Sequence, residues 1–414
     1  MTDRRVVVSG LGVVSCLGND LLTFWNNLLA GKSGISYISR FDASNLEVRI
    51  AGEVKDFDPL KKLDAKLVKR TDRFTQFALW AAIDAVNDAN ISFDNEDRSR
   101  IGVVIGSGMG GIETWEKQHE VYLNKGPARV SPLLIPMMIP DIASGNVSIY
   151  YKLQGPNYCT TSACASGANA IGNSFRHIKE GDADIMIAGG SETPITGYCI
   201  AGFANMGALT KRNDPPEKAS KPFSKDRDGF VVAEGCGVVI LEELEHAKKR
   251  NAKIYCEVVG YGVTGDGYHI TAPAPEGEGA YQAMANALKE SNLTPADIDY
   301  INAHGTSTDL NDLTETQAIK KLFGTRAKEI PINSTKSMIG HSLGAAGAIE
   351  FIVLCLSIYH QQIHPTINLE TPDPELDLDY VPEGARKITI RAGLSNSLGF
   401  GGHNTCLIVK QYKE

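Results

Sequence analysis

Apolar and polar positions follow two rhythms along this chain. Short apolar runs, Val6 to Val8, Ile101 to Ile105 and Ile298 to Ile301, end at glycine or polar turns, as strands do. Between them lie longer amphipathic stretches, and the alternation predicts an α/β fold of parallel strands layered with helices. The pattern also repeats. Val6-Val7-Val8-Ser9-Gly10-Leu11-Gly12-Val13 is echoed by Cys256-Glu257-Val258-Val259-Gly260-Tyr261-Gly262-Val263, and the Ile101 run before glycines is echoed by the Ile298 run before His304-Gly305. A join near residue 250, after the charged helical stretch Glu242 to Arg250, divides the chain into halves 1–250 and 251–414 that start with the same element. Residues 112–160, with Pro132, Pro136 and Pro140, are expected to be less regular.

Composition narrows the classes of function. At 414 residues and 43% hydrophobic, the chain can bury a large core, and no long apolar run predicts a membrane span. The opening Met1-Thr2-Asp3-Arg4-Arg5 leads straight into a strand, so no leader is expected and the cytoplasm is the expected location. Eight scattered cysteines without C-x-x-C pairs read as reduced thiols, not as disulfides or a zinc site. A net charge of -8 argues against nucleic acid as a partner. No metal and no resident cofactor are expected.

Three segments carry chemistry. In Thr160-Thr161-Ser162-Ala163-Cys164-Ala165-Ser166-Gly167 a lone thiol precedes an Ala-rich helical pattern, where helix N–H groups favour a thiolate nucleophile; a buried structural cysteine beside a turn is the alternative. His304, in Asn302-Ala303-His304-Gly305-Thr306-Ser307-Thr308, should sit at a strand end. His341, in Ser334 to Gly347, should lead into a helix ending in Glu350. Together they suggest a Cys-His-His site. Lys336 and Glu350 flank His341 within reach of it, or else are ordinary surface residues. Gly106-Ser107-Gly108-Met109-Gly110-Gly111 fits G-x-G-x-x-G after a strand, but Met109 to Trp115 is a poor helix start, which weighs against a dinucleotide loop.

With these motifs in order, from Arg4 to Ser15 through to Asn396-Ser397-Leu398-Gly399-Phe400-Gly401-Gly402-His403-Asn404, the chain resembles the decarboxylating β-ketoacyl-[acyl carrier protein] synthases of the thiolase superfamily, nearly end to end and leaning to the synthase II branch. The resemblance implies a thiolase-like five-layered αβαβα sandwich of two pseudo-repeated halves. It implies that Cys164 carries an acyl thioester, that His304 and His341 stabilise the decarboxylating malonyl unit, and that Lys336 pairs with Glu350 to orient them. The N–H groups of Cys164 and Phe400 would form the oxyanion hole, with Phe400 as a gate. Thr306 and Thr308 would bind the pantetheine arm, while Met109, Leu134, Gly401 and Gly402 would shape the substrate pocket. The partner implied is an acyl carrier protein, which brings its own phosphopantetheine, and the expected assembly is a homodimer.

Two departures stand out. Asp309 follows Thr308 where the family continues with Thr-Pro, and His403 replaces a threonine; both bear on the pantetheine contacts. Lys62, Lys66, Lys69, Arg70 and Arg73 recur at three- and four-residue spacings, which predicts one basic helix face for an acidic carrier protein, the alternative being a solvated face. A thiolase would need a second late cysteine in a motif that Cys406 does not fit. A polyketide-synthase ketosynthase subunit that needs a non-identical partner is the remaining alternative.

Overall fold

The computed structural model describes residues 4–413; Met1 to Asp3, where the leader expectation begins, lie outside it. The first half runs β1 (Val6–Val14), α1 (Arg73–Ala89), β2 (Ile101–Gly106), α2 (Ile142–Tyr151), β3 (Asn157–Tyr158), α3 (Ser166–Glu180), β4 (Ile185–Glu192) and β5 (Gly235–Glu243). The second runs β6 (Cys256–Gly265), α4 (Glu278–Ser291), β7 (Tyr300–Asn302), α5 (Asp309–Phe323), β8 (Ile332–Asn333), α6 (Ala346–His360), β9 (Ala392–Gly399) and β10 (His403–Lys410). The order of elements is the same in both.

The strands form one ten-stranded sheet in the order β3-β2-β4-β5-β1-β6-β10-β9-β7-β8. The two halves join edge to edge through Val6, Val7 and Val8 of β1, antiparallel to Val258, Glu257 and Cys256 of β6. Each half is mixed rather than all-parallel: β2 is parallel to β3 and β4, and β7 to β8 and β9, while β4-β5-β1 and β9-β10-β6 are antiparallel. Helices α1 and α2 cover one outer face, α4 and α5 the other, and α3 and α6 lie between the half-sheets, giving αβαβα layers.

Glycines explain how closely these layers fit. A Cβ on Gly10 or Gly12 of β1 would stand 2.2 or 2.0 Å from the carbonyl oxygens of Ala85 and Ala81 in α1. On Gly260 or Gly262 of β6 it would stand 2.4 or 1.9 Å from those of Ala287 and Ala283 in α4. The repeated glycines therefore let a helix lie directly on a strand, and Gly262→Ala would force the two apart. Asp72 starts α1 by accepting from the Phe74 N–H, and Asn90 ends it in the left-handed region at φ 49°. The inner layer is a single core spanning both halves, including Val8, Phe175, Leu241, Ile352 and Leu407. Each such side chain contributes about 1.5–3 kcal/mol by leaving water.

Three expectations change. Leu343–His360 is apolar and long enough to cross a membrane, with a mean hydropathy of 1.7, contrary to the expected lack of a long apolar run; it is 89% buried, as the core helix of a packed protein is. Its helix also continues past Glu350 to His360. The region 112–160 is largely helical, with helices at Ile112–Lys125 and Leu134–Met138 besides α2.

Candidate active site

Strand ends and helix starts bring the three reactive residues together. Cys164 precedes α3, His304 follows β7, and His341 precedes the turn into α6. One ligand atom from each lies within 4.8 Å of the other two. The imidazole rings of His304 and His341 meet edge to face at 5.2 Å, and all three residues are buried. They line a cleft of about 320 Å³ together with Thr306, Thr308, Phe400 and Gly402.

Hydrogen bonds fix the tautomers. Lys336 Nζ stands 3.2 Å from His304 Nδ1, and the Leu343 N–H donates to His341 Nδ1 at 3.3 Å. Lys336 has no acceptor to offer, so both Nδ1 atoms accept and both protons sit on Nε2. Burial first, then the nearby Lys336 charge, lowers both histidines well below the usual value of 6.5. The pair is therefore neutral and presents N–H groups. A Cys-His-His set would also suit a soft metal, but two Nε2–H groups offer protons, not lone pairs, and so suit an oxygen acceptor.

Lys336 is held in turn. Its Nζ donates to Glu350 Oε1 at 2.5 Å and to the His304 carbonyl at 2.6 Å, and the pair is 1% and 0% exposed. Burial raises the Glu350 carboxyl to about 7, against the pull of Lys336. Two further acids, missed in the sequence, hold the His304 loop from α5. Glu315 accepts from the N–H groups of His304 and Gly305 at 2.8 and 2.9 Å, and Asp312 from that of Thr306 at 2.9 Å. Their three-residue spacing, right after the histidine motif, was the available signal.

The thiol differs from expectation. Burial pushes Cys164 up to about 12, opposed by Lys336 and by the Phe400 N–H, so a thiol and not a thiolate rests in the site. The helix start gives it little help, because the Ala165 and Ser166 N–H groups already bond Ser162 and Ala163 carbonyls at 3.1 Å. The Phe400 N–H faces the sulfur, and a Cβ on Gly399 would come within 3.1 Å of the Cys164 nitrogen, so only glycine lets the strand end approach.

The other expected residues divide between the cleft and its surroundings. The Thr306 and Thr308 hydroxyls touch at 2.9 Å. Met109 lies behind the cleft, packed into the apolar cluster of Cys164, Ile195, Ile200, Phe230 and Leu343. Leu134 opens the short helix Leu134–Met138 and lies in neither cleft nor cluster. Gly401 is exposed, its N–H bonded to the Ile270 carbonyl at 2.8 Å. His403 is exposed and lies against Gly401, outside the cleft lining. Asp309 starts α5, where its charge suits the helix N-terminus.

The basic face is broken up. Instead of one helix there is a turn at Pro59–Lys61, a four-residue helix Ala65–Val68, and then α1. Lys62 pairs with Asp84 and Arg73 with Glu234. Lys66, Lys69 and Arg70 remain exposed.

Comparison with known proteins gives the family. The N-terminal domain of β-ketoacyl synthases matches residues 3–247 and the C-terminal domain residues 255–370. A 3-oxoacyl-[acyl-carrier-protein] synthase 2 of Synechocystis is 53% identical over 410 residues, and one of Staphylococcus aureus 51% over 411, each covering 99% of both chains. Among solved structures, a ketosynthase in complex with its type II PKS acyl-carrier protein has a TM-score of 0.93 at 38% identity over 100% of both chains. A β-ketoacyl synthase from Burkholderia phymatum has 0.92 at 35%, over 99% of this chain and 100% of its own. Motifs, layers and a buried Cys-His-His cluster thus converge: the chain belongs to the β-ketoacyl synthase family.

Proposed function

We propose that the protein is a 3-oxoacyl-[acyl-carrier-protein] synthase of type II fatty acid synthesis, which condenses malonyl-carrier protein with an acyl group held on Cys164. The observation that carries this reading is the pair of neutral imidazoles whose Nε2–H groups share a buried space with the Cys164 sulfur.

The first step exchanges thioesters. The Cys164 sulfur attacks the acyl carbonyl, the carbon–sulfur bond to pantetheine breaks, and the thiol proton ends on the departing pantetheine sulfur. No net proton is taken up, which suits a nucleophile that rests as a thiol. The acyl tail lies in the apolar cluster behind Cys164, with Met109 at its floor. Thr306 and Thr308 bind the pantetheine arm at the mouth.

In the second step malonyl-carrier protein loses CO2, and the electron pair of the breaking carbon–carbon bond becomes an enolate. The Nε2–H groups of His304 and His341 donate to its oxygen; each preorganised donor of this kind contributes about 3 kcal/mol. The carbanion attacks the Cys164 thioester, the N–H groups of Cys164 and Phe400 hold the resulting oxyanion, and Cys164 leaves as a thiolate that takes up one proton from solvent water. Lys336 and Glu350 position His304, and Phe400 with Gly401 and Gly402 forms the turn that closes the cleft. Neither step calls for a resident cofactor.

Exposed Lys66, Lys69 and Arg70 form the docking patch for an acidic carrier protein. The chain acts as a homodimer through the face carrying Ile149, 74% exposed, with Tyr122, Leu123 and Ile135, beside the edge strand β3. Eight free thiols fit a reducing cytoplasm.

Intact-protein mass spectrometry tests the reading. An acyl adduct must form on wild type and on His341→Ala, be absent from Cys164→Ala, and be discharged by malonyl-carrier protein in wild type alone. An adduct that persists in Cys164→Ala would overturn it.

A further inference from the structure

The Gly106 to Gly111 loop has the setting of a phosphate-binding loop after all: β2 ends at Gly106, and the helix Ile112–Lys125 opens directly behind it, despite its poor start in the sequence. What its N–H groups hold is a carboxylate of the protein itself. Glu192, the last residue of β4, is fully buried. Its Oε1 accepts from the Ser107 hydroxyl at 2.8 Å and the Met109 N–H at 3.1 Å. Its Oε2 accepts from the Gly108 N–H at 2.6 Å and the Gly344 N–H at 3.1 Å.

Gly108 belongs to the first half and Gly344 to the second. Gly344 stands three residues beyond His341 and one beyond Leu343, whose N–H sets the His341 tautomer. A Cβ on Gly108 or Gly344 would lie 2.9 or 2.4 Å from Oε2, so both positions need glycine for the carboxylate to come this close. One oxygen therefore ties the loop that carries Met109 to the turn that carries His341. In the repeat, Glu192 is the counterpart of Gly399, since each ends an eight-residue strand. Gly344 is the counterpart of Cys164: α3 and α6 are both 15 residues long and follow Ala163 and Leu343, at φ 49° and 46°. The strand end that approaches Cys164 beside the cleft is, at Gly344, filled by a side chain.

We propose that Glu192 is a positioning residue for the condensation, coupling the placement of Met109, and so the acyl tails that fit behind Cys164, to the placement of His341, and so malonyl decarboxylation. It rests on the roles given above to Cys164 and the histidines.

Glu192→Gln keeps the shape but turns an NH2 group toward N–H donors. The tests are Cys164 acylation from carrier proteins bearing short to long acyl chains, and the kcat and KM of malonyl-carrier protein turnover, with melting as a check on folding. In the variant, acylation by short chains stays within about twofold while the ratio of long to short donors shifts by about 10-fold, and kcat for malonyl turnover falls by about 10-fold at unchanged KM. An unchanged length profile, or an equal loss on every donor with malonyl kcat intact, overturns the proposal. If Glu192→Gln does not fold, Ser107→Ala removes one of the four donors and gives the same signature at about 3-fold, and an unchanged profile there overturns it equally. Wild type that takes no acyl group on Cys164 defeats the underlying reading instead; wild type that is acylated and active beside indistinguishable variants defeats only the coupling.

Discussion

Aligned helix start to helix start, the two halves put one scaffold to two uses. The first half presents Thr161, Cys164 and Glu192 where the second presents His341, Gly344 and Gly399. The strand pairing of β2 with β4 and of β7 with β9 likewise sets Gly106 against His304. Even the helix contact is reciprocal: a Cβ on Gly167 would meet Ala348, and one on Gly347 would meet Ala168. In the mechanism proposed above, one half supplies the nucleophile and the other both hydrogen-bond donors and the open strand end. The lesson is that backbone symmetry built the cleft, and side-chain asymmetry at four strand and helix ends made it reactive.

Erasing these differences one at a time gives effects in descending order. Cys164→Gly, which makes the two helix starts alike, removes the covalent step; condensation falls by at least about 10⁴-fold and no acyl adduct is seen by mass. His341→Thr, which copies Thr161 into the second half, removes one enolate donor and lowers malonyl decarboxylation by about 10²–10³-fold while acylation persists. An equal loss in both steps would mean that His341 serves the thiol instead. Glu350→Ala copies Ala170 and leaves Lys336 buried without its partner. It costs about 3–5 kcal/mol, read as a lowered urea midpoint.

The proposed carrier-docking patch, Lys66, Lys69 and Arg70, lies on the first half alone. Reversing Lys66, Lys69 and Arg70 to glutamate lowers kcat/KM with carrier-protein substrates by about 10-fold at low salt and spares small thioesters. The smallest effect concerns pH. The folded chain holds the Glu350 proton up to about 7 instead of 4.5, so this group's contribution to stability is full below 4.5 and is lost as pH rises through 7. Wild type should therefore lose melting temperature relative to Glu350→Gln between pH 5 and 8. A constant difference would mean that the carboxylate is ionised throughout.

Much of this was legible in the sequence because it is written in local pattern. The repeated Gly-x-Gly of β1 and β6 announced the two halves, and the short motifs around Cys164, His304 and His341 announced the cluster. What escaped depends on residues far apart in the chain. Glu192, Asp312 and Glu315 are single acids in apolar or helical settings, and only the fold aims them at backbone N–H groups. The protonated state of Cys164 was equally hidden, since helix position favours the anion and burial by distant elements overrules it. The split of the basic face turned on the caps at Asp64 and Asp72, which start new helices where the spacing ran on.

The seam between β1 and β6 has a consequence for how the protein is made. By the time the ribosome has delivered β5, the first half has its sheet and α3, but α6, which must cover that inner face, lies about a hundred residues ahead in the sequence. The nascent first half thus displays an apolar surface meant for a segment not yet synthesised, and its β1 edge is open until β6 emerges. Biogenesis, more than the finished enzyme, is where this fold is exposed to aggregation, and a cell short of chaperones should lose the protein before it loses the activity of copies already folded.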